Sequence, residues 1–161
     1  MRGFEKISFE QFKKDILDDN KVYEEYNLPK RSTKYSAGYD FSVLTDYVIK
    51  PGEIVKIPTG IKVYMNEDEV LFIIIRSSLG FKFNARLLNQ VGVVDKDYYN
   101  NENNEGHIWI ALKNEGDKDI VLNKGNNFAQ GIFTKYLTVD NEEEIKNIRT
   151  NGFGSTNKGA C

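Results

Sequence analysis

The chain has 161 residues, of which 40% are hydrophobic and 29% charged, and its formal net charge at pH 7 is −2. This balance predicts one soluble globular domain and excludes the general basic surface with which proteins bind long nucleic acids. The longest aliphatic run, residues 70–75, is too short to cross a bilayer, and we expect neither a signal peptide nor a membrane anchor. The single Cys161 and single His107 exclude an internal disulfide and a zinc site built from several such ligands. We therefore predict a cytoplasmic protein.

The first predicted element is a helix over residues 8–19. Ser8 and Gln11 have the spacing of a capping box. Phe12 and Ile16 follow at the spacing of one helix face. The polar residues from position 18 onward end this pattern, and we interpret the helix as a buttress for the rest of the domain.

The remainder of the chain changes to short β-branched or aromatic runs. Turn signals such as Pro51-Gly52 and Thr59-Gly60 separate these runs at intervals of about 8 to 12 residues, which is typical of a β-sandwich or barrel. We predict an all-β domain with strands over residues 48–50, 54–57, 61–65, 70–75, 86–94, 107–113, 120–122 and 128–139. Residues 99–105 are predicted to form an exposed polar loop, and residues 148–161 a flexible C-terminal tail.

The first candidate binding residues are Arg76, Ser77 and Ser78, which directly follow the apolar strand predicted over residues 70–75. A guanidinium and two hydroxyls at a strand end can bind an oxyanion. The same residues are equally explained by a strand-end salt bridge of Arg76 and a turn stabilised by the serine hydroxyls.

The second candidate group surrounds Gly92, which lies among valines in a predicted strand. The missing side chain lets another molecule approach the backbone there. Asp95 follows directly and can orient and deprotonate a water molecule. A plain hairpin in which Asp95 forms the turn explains these residues as well, and Tyr98 taken alone is more often a packing residue.

The third candidate group is the glycine-rich tail, which is costly to order because glycine loses the most conformational freedom. Arg149, Ser155 and Thr156 offer donors for a polyphosphate, and Phe153 can stack on a base. These residues predict a lid that orders over a nucleotide. The alternative is a frayed terminus without function.

Taken in order, these stretches resemble the five sequence motifs of the trimeric, all-β dUTPase family, whose members hydrolyse dUTP to dUMP and pyrophosphate. The resemblance covers about residues 30–156. Its five motifs correspond to residues 37–40, 76–80, 89–98, 124–133 and 149–156. Each motif alone is weak evidence, whereas five in sequence order are specific.

The resemblance implies a single domain with a distorted jelly-roll-like β-barrel, a homotrimer, and three active sites that each combine motifs from all three chains. It implies that Asp95 is the general base and that Tyr98 lies under the deoxyribose and excludes a ribose 2′-hydroxyl. Groups that would read the uracil edge are Asn89, Val93, Val94 and Trp109. The implied role is the removal of dUTP and the supply of dUMP for thymidylate synthesis.

The resemblance also assigns the phosphate-binding residues. The phosphate chain would be bound by Arg76, Ser77, Ser78 and Gln130. Asp40 would order water around Mg²⁺, with the ion held mainly by the substrate phosphates. The tail would close from a neighbouring subunit, with Phe153 over the base and the remaining contacts made by Arg149, Gly154, Ser155 and Thr156.

Three alternatives stay open at this point. The dCTP deaminases, including bifunctional enzymes, share the Arg-Ser-Ser-Leu-Gly pattern, but they carry a glutamate where this chain has Ala111. A regulatory module can use the nucleotide site to control binding of another protein, with residues 99–105 as the contact. In the family a glycine normally follows soon after the position of Tyr98, whereas in this chain residues 99–105 are inserted before Gly106. A carbohydrate-binding sandwich is disfavoured because only one Trp is present.

Overall fold

The structure is a computed structural model that describes residues 1–145. The predicted tail residues Arg149, Phe153, Gly154, Ser155 and Thr156 therefore lie outside the described residues.

Short strands dominate the described part of the chain. In chain order the strands are β1 (Gly3–Lys6), β2 (Lys30–Arg31), β3 (Tyr39–Ser42), β4 (Tyr47–Ile49), β5 (Ile54–Pro58), β6 (Ile61–Tyr64), β7 (Glu69–Ile75), β8 (Ala85–Leu87), β9 (Gly92–Val94), β10 (Trp109–Asn114), β11 (Ile120–Leu122) and β12 (Asn127–Lys135). The helices are α1 (Phe9–Asp15), α2 (Asn20–Glu25) and α3 (Ser77–Phe83), with a 3₁₀ turn over Lys96–Tyr98.

The strands pair antiparallel throughout and divide into four sheets. The largest sheet has the order β2-β3-β12-β7-β9, a second has β5-β10-β8, and two pairs join β1 with β6 and β4 with β11. Neighbouring strands in these sheets are mostly distant in sequence, as in jelly-roll folds. The predicted all-β, jelly-roll-like class is confirmed, although the described strands form separate sheets instead of one closed barrel.

The core follows from alternation along the strands. In β10, Ile110 and Leu112 are buried while Trp109 and Ala111 are partly exposed, because successive side chains of a strand point to opposite faces. Fully burying an aliphatic side chain of this size contributes about 1.5–3 kcal/mol. The N-terminal helices add an aromatic cluster, in which Phe12 is fully buried and stacks on Tyr26.

The N-terminal helix prediction needs correction. The helix predicted over residues 8–19 ends at Asp15, and a second helix begins at Asn20. The polar stretch that was expected only to end a helix also starts one, because the Asp19 carboxylate accepts a hydrogen bond from Val22 N at 3.1 Å. The Ser8 cap is present as predicted, with its side chain accepting from Gln11 N.

The predicted strand over residues 86–94 is also wrong, because the structure divides it between two sheets. β8 pairs with β10, whereas β9 pairs with β7. Gln90 lies between them with φ 63°, a left-handed conformation that turns the chain. The strand predicted over residues 128–139 ends at Lys135.

Helix α3 was not predicted. Its sequence contains two serines and a glycine, which favour turns over helices, and the alternative considered for the serines was a turn. The helix ends at Asn84, whose φ of 51° is a left-handed cap of a kind that asparagine tolerates. Strands β1, β2 and β3 were missed as well.

Candidate active site

A narrow cavity of about 120 Å³ lies against strand β9, and we call it the β9 pocket. Its lining residues are Ile73, Asn89, Gly92, Val93, Val94, Asp95, Tyr98, Ile108 and Trp109. The fold thus brings together the residues assigned to the base, the sugar and the attacking water: Asn89, Val93, Val94, Asp95, Tyr98 and Trp109.

Gly92 lies in the wall of the β9 pocket. It pairs with Ile73 of β7, and a Cβ atom at this position would lie 3.2 Å from the Ile73 Cβ and 3.8 Å from the Asn89 Nδ2. The first distance is tighter than ordinary side-chain contacts. The missing side chain therefore keeps the pocket open and lets β9 lie close to β7.

The turn after β9 sets the relation between Asp95 and Tyr98. Asp95 has extended backbone, and its carbonyl accepts a hydrogen bond from Tyr98 N at 3.1 Å. This local bond directs both side chains to the β9 pocket. Asp95 is exposed, whereas Tyr98 is 5% exposed, so a carboxylate in contact with solvent lies next to a fixed ring.

Both sides of the Tyr98 hydroxyl are engaged. It donates to the His107 carbonyl oxygen at 3.0 Å and accepts from the Asn104 Nδ2 at 3.0 Å. A hydroxyl with a donor and an acceptor at fixed positions has little freedom to rotate, and the ring to which it is attached is held with it. Tyr98 therefore forms a rigid wall of the pocket.

The His107 ring is fully buried behind this wall. Its Nε2 accepts from Gly60 N at 2.9 Å, so its Nδ1 carries the proton and donates to the Asp15 Oδ2 at 2.6 Å. Burial lowers the pKa of His107, although the hydrogen bond to Asp15 partly offsets this effect. The imidazole is therefore neutral at neutral pH. In the sequence this histidine served only to exclude a zinc site with several His or Cys ligands. No local pattern related it to Asp15.

The predicted phosphate-binding residues lie elsewhere, in a group that we call the Asp40 surface, made of Asp40, Arg76, Ser77, Ser78 and Gln130. Asp40 is 8% exposed, and its Oδ1 lies 3.3 Å from the Arg76 Nε. Gln130 of β12 is paired directly opposite Asp40 of β3. Ser77 and Ser78 are exposed in the first turn of α3.

The salt bridge proposed as the alternative for Arg76 is present, and it coexists with exposure of the guanidinium, whose side chain is 36% accessible. Two residues not predicted for the site hold Asp40 in place: Ser32 donates its hydroxyl to the carboxylate, and Asn127 Nδ2 lies 3.4 Å away. Asn127 belongs to the fourth motif, which was the only available signal. The serines form a helix start instead of the predicted turn.

The β9 pocket and the Asp40 surface are far apart on one chain. Val94 is paired with Leu71, so Asp95 lies level with the start of β7, whereas Arg76 follows its end. Six residues of extended strand between these levels correspond to roughly 20 Å. The two groups of predicted site residues are therefore separate on one chain.

The donor set for a metal is small. Among residues 1–145 no group of three or more His, Cys, Asp or Glu side chains is arranged to hold a metal ion. Asp40 is thus a single carboxylate beside a cationic side chain, which suits contact with a hydrated ion more than a protein cage.

The helices of residues 1–145 are all too short or too polar to span a membrane.

An antiparallel all-β domain with a narrow pocket against exposed backbone, an accessible carboxylate and a separate surface around Arg76 belongs to a class of β proteins suited to binding a small phosphorylated ligand. The comparisons with known proteins identify the family. The dUTPase family model matches residues 24–159. A deoxyuridine 5′-triphosphate nucleotidohydrolase of Lactococcus lactis subsp. lactis (strain IL1403) is 49% identical over 131 residues, which is 81% of this chain and 87% of the relative.

Solved structures agree with this match. The dUTPase from Streptococcus mutans is 42% identical with a TM-score of 0.69, over 86% of this chain and 98% of that chain. The dUTPase from phage phi11 of S. aureus is 18% identical with a TM-score of 0.66, over 92% of this chain and 98% of that chain, and shares the fold. The chain belongs to the dUTPase family. The predicted family, its enzyme class and the fold class are thereby confirmed.

Proposed function

We propose that this chain hydrolyses dUTP to dUMP and pyrophosphate, with Asp95 as the general base for the attacking water. One observation carries the proposal: the exposed Asp95 lines the β9 pocket together with the buried Tyr98 ring, three residues further on. A carboxylate removes a proton from water only when both lie within hydrogen-bond reach of the reacting atom. The base and sugar in the pocket would bring the α-phosphate beside Asp95.

Recognition of uracil is supported by the position of β9 in its sheet. β9 is the last strand of the five-stranded sheet, and within the described chain no other strand pairs with its outer edge. Such an edge presents backbone N–H and C=O groups to a ligand. Uracil and cytosine differ in donor and acceptor at two ring positions, so cytosine would leave buried groups unpaired at about 1–3 kcal/mol each. Asn89 and Trp109 would complete this contact.

Selection of deoxyribose is supported by the fixed position of Tyr98. Its ring is buried and its hydroxyl is held on both sides, so it cannot move away from a ligand. A sugar that lies on this ring would have no room for a 2′-hydroxyl. UTP is therefore the expected poor substrate.

The reaction would be an in-line attack. Asp95 would take a proton from the water while the water oxygen attacks the α-phosphorus. The bond between the α-phosphorus and the oxygen that bridges to the β-phosphorus would break as pyrophosphate leaves. Arg76, Ser77, Ser78 and Gln130 would stabilise the negative charge on the phosphate chain, so positioning and electrostatics supply most of the catalysis.

A magnesium ion is part of this proposal. The phage phi11 dUTPase coordinates a structural Mg(II) ion. In this chain Asp40 would contact the hydration shell of a Mg²⁺ ion held by the substrate phosphates, where the ion would neutralise charge on the departing pyrophosphate. Asp40 already binds Arg76 and Ser32, which orients its carboxylate for such a contact.

The separation of the two half-sites supports a complete site at the contact between copies of the chain. Asp95 and Arg76 lie roughly 20 Å apart along β7, so one chain cannot easily bring both to one α-phosphate. A second copy that contributes its Asp40 surface to the β9 pocket would solve this problem. We propose the homotrimer of the family, with the tail residues Arg149, Phe153, Gly154, Ser155 and Thr156 closing over the substrate.

The first test is a panel of dUTP, UTP, dTTP and dCTP with Mg²⁺, in which pyrophosphate release is measured. We expect dUTP to be hydrolysed at least tenfold faster than dCTP at low concentration, as one unpaired buried group already accounts for about that factor. We also expect dUTP to be hydrolysed faster than UTP and dTTP, which carry an additional 2′-hydroxyl and an additional methyl group, respectively. Equal turnover of all four nucleotides would reject the proposed specificity. Release of ammonia from dCTP would instead support the deaminase alternative.

The shared site is tested by mixing two variants of reduced activity and measuring whether the mixture exceeds the mean of the two. Asp95→Asn and Arg76→Ala proteins would each lack one half of every site. After subunit exchange, random assembly would restore both halves in about a quarter of the sites, because each site draws its halves from different chains. No recovery in a mixture that mass spectrometry shows to have exchanged would place both residues in the same chain.

The remaining expectations follow from this activity. The enzyme would remove dUTP and supply dUMP for thymidylate synthesis in the cytoplasm.

The regulatory-module alternative gains no support from residues 99–105, since Asn101 is buried and Asn104 donates to Tyr98. These two side chains bind the loop to the domain, whereas Asn100, Glu102 and Asn103 are exposed.

A further inference from the structure

The N-terminal segment, residues 1–23, precedes the part of the chain that the family model matches. It is nevertheless attached to the loop of residues 99–105. The backbone N–H of Ser8, the cap of α1, donates to the Glu105 Oε2 at 3.0 Å. The Tyr99 hydroxyl donates to the Glu5 Oε2 at 2.7 Å. Segment and loop therefore form one assembly behind the β9 pocket.

The loop is closed by its own asparagines. The Asn101 Oδ1 accepts from the backbone N–H groups of Asn103 and Asn104, each at 3.1 Å. The Asn101 Nδ2 donates to the Tyr98 carbonyl at 2.8 Å. These bonds leave the Asn104 side chain pointing at the Tyr98 hydroxyl and the His107 carbonyl, at 3.0 and 3.3 Å.

The opposite side of this arrangement is held by the helix α1. Asp15 binds the Nδ1 of His107 at 2.6 Å, across 92 positions of sequence. The His107 ring in turn accepts from Gly60 at its other nitrogen, and its main-chain carbonyl is the acceptor of the Tyr98 hydroxyl. A shift of His107 therefore moves the group to which Tyr98 is anchored.

We propose that Asn104 and Asp15 are positioning residues that fix Tyr98 in the β9 pocket and thereby set the preference for deoxyribose over ribose. The proposal rests on the proposed function, in which Tyr98 lies under the sugar. Asn104 acts directly on the Tyr98 hydroxyl, and Asp15 acts through His107. The N-terminal segment is thus part of the specificity of the enzyme and more than a buttress.

The physical reason is that a hydroxyl with one fixed donor and one fixed acceptor has a single preferred orientation. Without Asn104, the Tyr98 hydroxyl keeps its acceptor but loses the donor that fixes it from the other side, and the ring can tilt. A tilted ring leaves room for a 2′-hydroxyl. Discrimination then decreases even where the fold is retained.

The experiment compares Asn104→Ala with the neighbouring Asn103→Ala in the full chain. Asn103 is exposed, and its side chain is not part of the network described above. Values of kcat and KM are measured for dUTP and for UTP. For Asn104→Ala we expect the ratio of kcat/KM for dUTP to that for UTP to fall about tenfold, as for one lost hydrogen bond, with kcat for dUTP within about threefold of the parent. Asn103→Ala should keep the parent ratio.

A second pair of variants tests the other side. Asp15→Asn keeps an acceptor for the His107 Nδ1–H, whereas Asp15→Ala removes it. We expect Asp15→Ala to lower the dUTP-to-UTP ratio about threefold and Asp15→Asn to restore most of it. A purely structural role would lower the melting temperature in both Ala variants and leave the ratio unchanged.

The outcomes separate the two proposals. If the parent enzyme does not prefer dUTP over UTP, the assignment of Tyr98 to the sugar fails. If the parent prefers dUTP and Asn104→Ala, folded by circular dichroism, keeps the ratio within twofold, the positioning role is wrong. If Asn104→Ala does not fold, the Asp15 pair decides, and an unchanged ratio in folded Asp15→Ala overturns the proposal.

Discussion

Under the proposed function the β9 pocket and the Asp40 surface belong to one active site, but they differ in their physical construction. The β9 pocket consists of an edge strand, a buried ring held by neutral hydrogen bonds, and the exposed Asp95 carboxylate. The Asp40 surface consists of the buried Asp40 carboxylate, its ion pair with Arg76, and exposed or half-exposed polar side chains around them. The ring and backbone groups of the β9 pocket would discriminate between ligands because a mismatched ligand leaves such groups unpaired. An exposed charged surface attracts any polyphosphate and is screened by salt. Selection and attraction are therefore divided between two regions.

The largest expected effect is that of Asp95→Asn on the chemical step. The variant keeps the shape of the β9 pocket but loses the base, so kcat should fall by about 10²–10⁴. Pyrophosphate release measures this loss, and binding of a non-hydrolysable dUTP analogue should stay close to that of the parent. Turnover at the parent rate would show that Asp95 is not the base.

A smaller loss is expected for Arg76→Ala on the Asp40 surface. Removal of hydrogen bonds to a charged group costs about 1.5–3 kcal/mol, so kcat/KM for dUTP should fall about 10- to 100-fold. The same loss should apply to UTP, since phosphate contacts do not read the sugar. If Arg76→Ala changed the ratio of kcat/KM for dUTP to that for UTP by as much as kcat/KM for dUTP itself, Arg76 would also select the sugar. Selection and attraction would then not be divided between the two regions.

Gly92→Ala should act on the β9 pocket with a moderate effect. The added Cβ lies 3.2 Å from the Ile73 Cβ, and overpacking of this kind costs about 1–3 kcal/mol. We expect KM for dUTP to rise up to about tenfold and the melting temperature to fall by a few degrees. Gly52→Ala offers a comparison, because its Cβ would meet nothing within 4 Å, although its φ of 82° adds strain. That variant should destabilise the chain without changing KM.

The smallest predicted effect concerns pH. Burial lowers the pKa of His107, so the unfolded chain binds this proton more readily than the folded chain. Stability should therefore decrease as pH falls below about 6.5, the ordinary pKa of histidine, with a slope of at most about 1.4 kcal/mol per pH unit. Denaturant unfolding between pH 5 and 7 measures this slope, and His107→Gln should remove it.

Measurement between pH 5 and 7 separates the titration of His107 from that of Glu69. The hydrogen bond from Arg2 lowers the pKa of Glu69 to about 2, so its contribution to stability is lost only as pH falls from about 4.5 toward that value. A slope between pH 5 and 7 that persists in His107→Gln would show that another group is responsible.

Much of the β9 pocket was accessible from the sequence because its key relation is local. Asp95 and Tyr98 are joined by one hydrogen-bonded turn, and Gly92 marks the open backbone three residues before Asp95. Of the Asp40 surface, Arg76, Ser77 and Ser78 were candidates from their position after an apolar strand. Only the resemblance joined Asp40 and Gln130 to this surface. Its members come from β3, α3 and β12, and no local pattern relates a carboxylate at position 40 to a guanidinium at position 76.

The sequence by itself determined the all-β class, because turn residues and strand periodicity act over a few neighbouring positions. It determined the family through the resemblance of its five motifs, taken in order, to those of the dUTPases. Only the tertiary structure decided how residues 86–94 divide between two sheets, how far Asp95 lies from Arg76, and that Asp15 meets His107. These relations depend on which strands pair and in what register. Strand pairing is a property of the whole chain, since the free energy of burial is gained between segments distant in sequence.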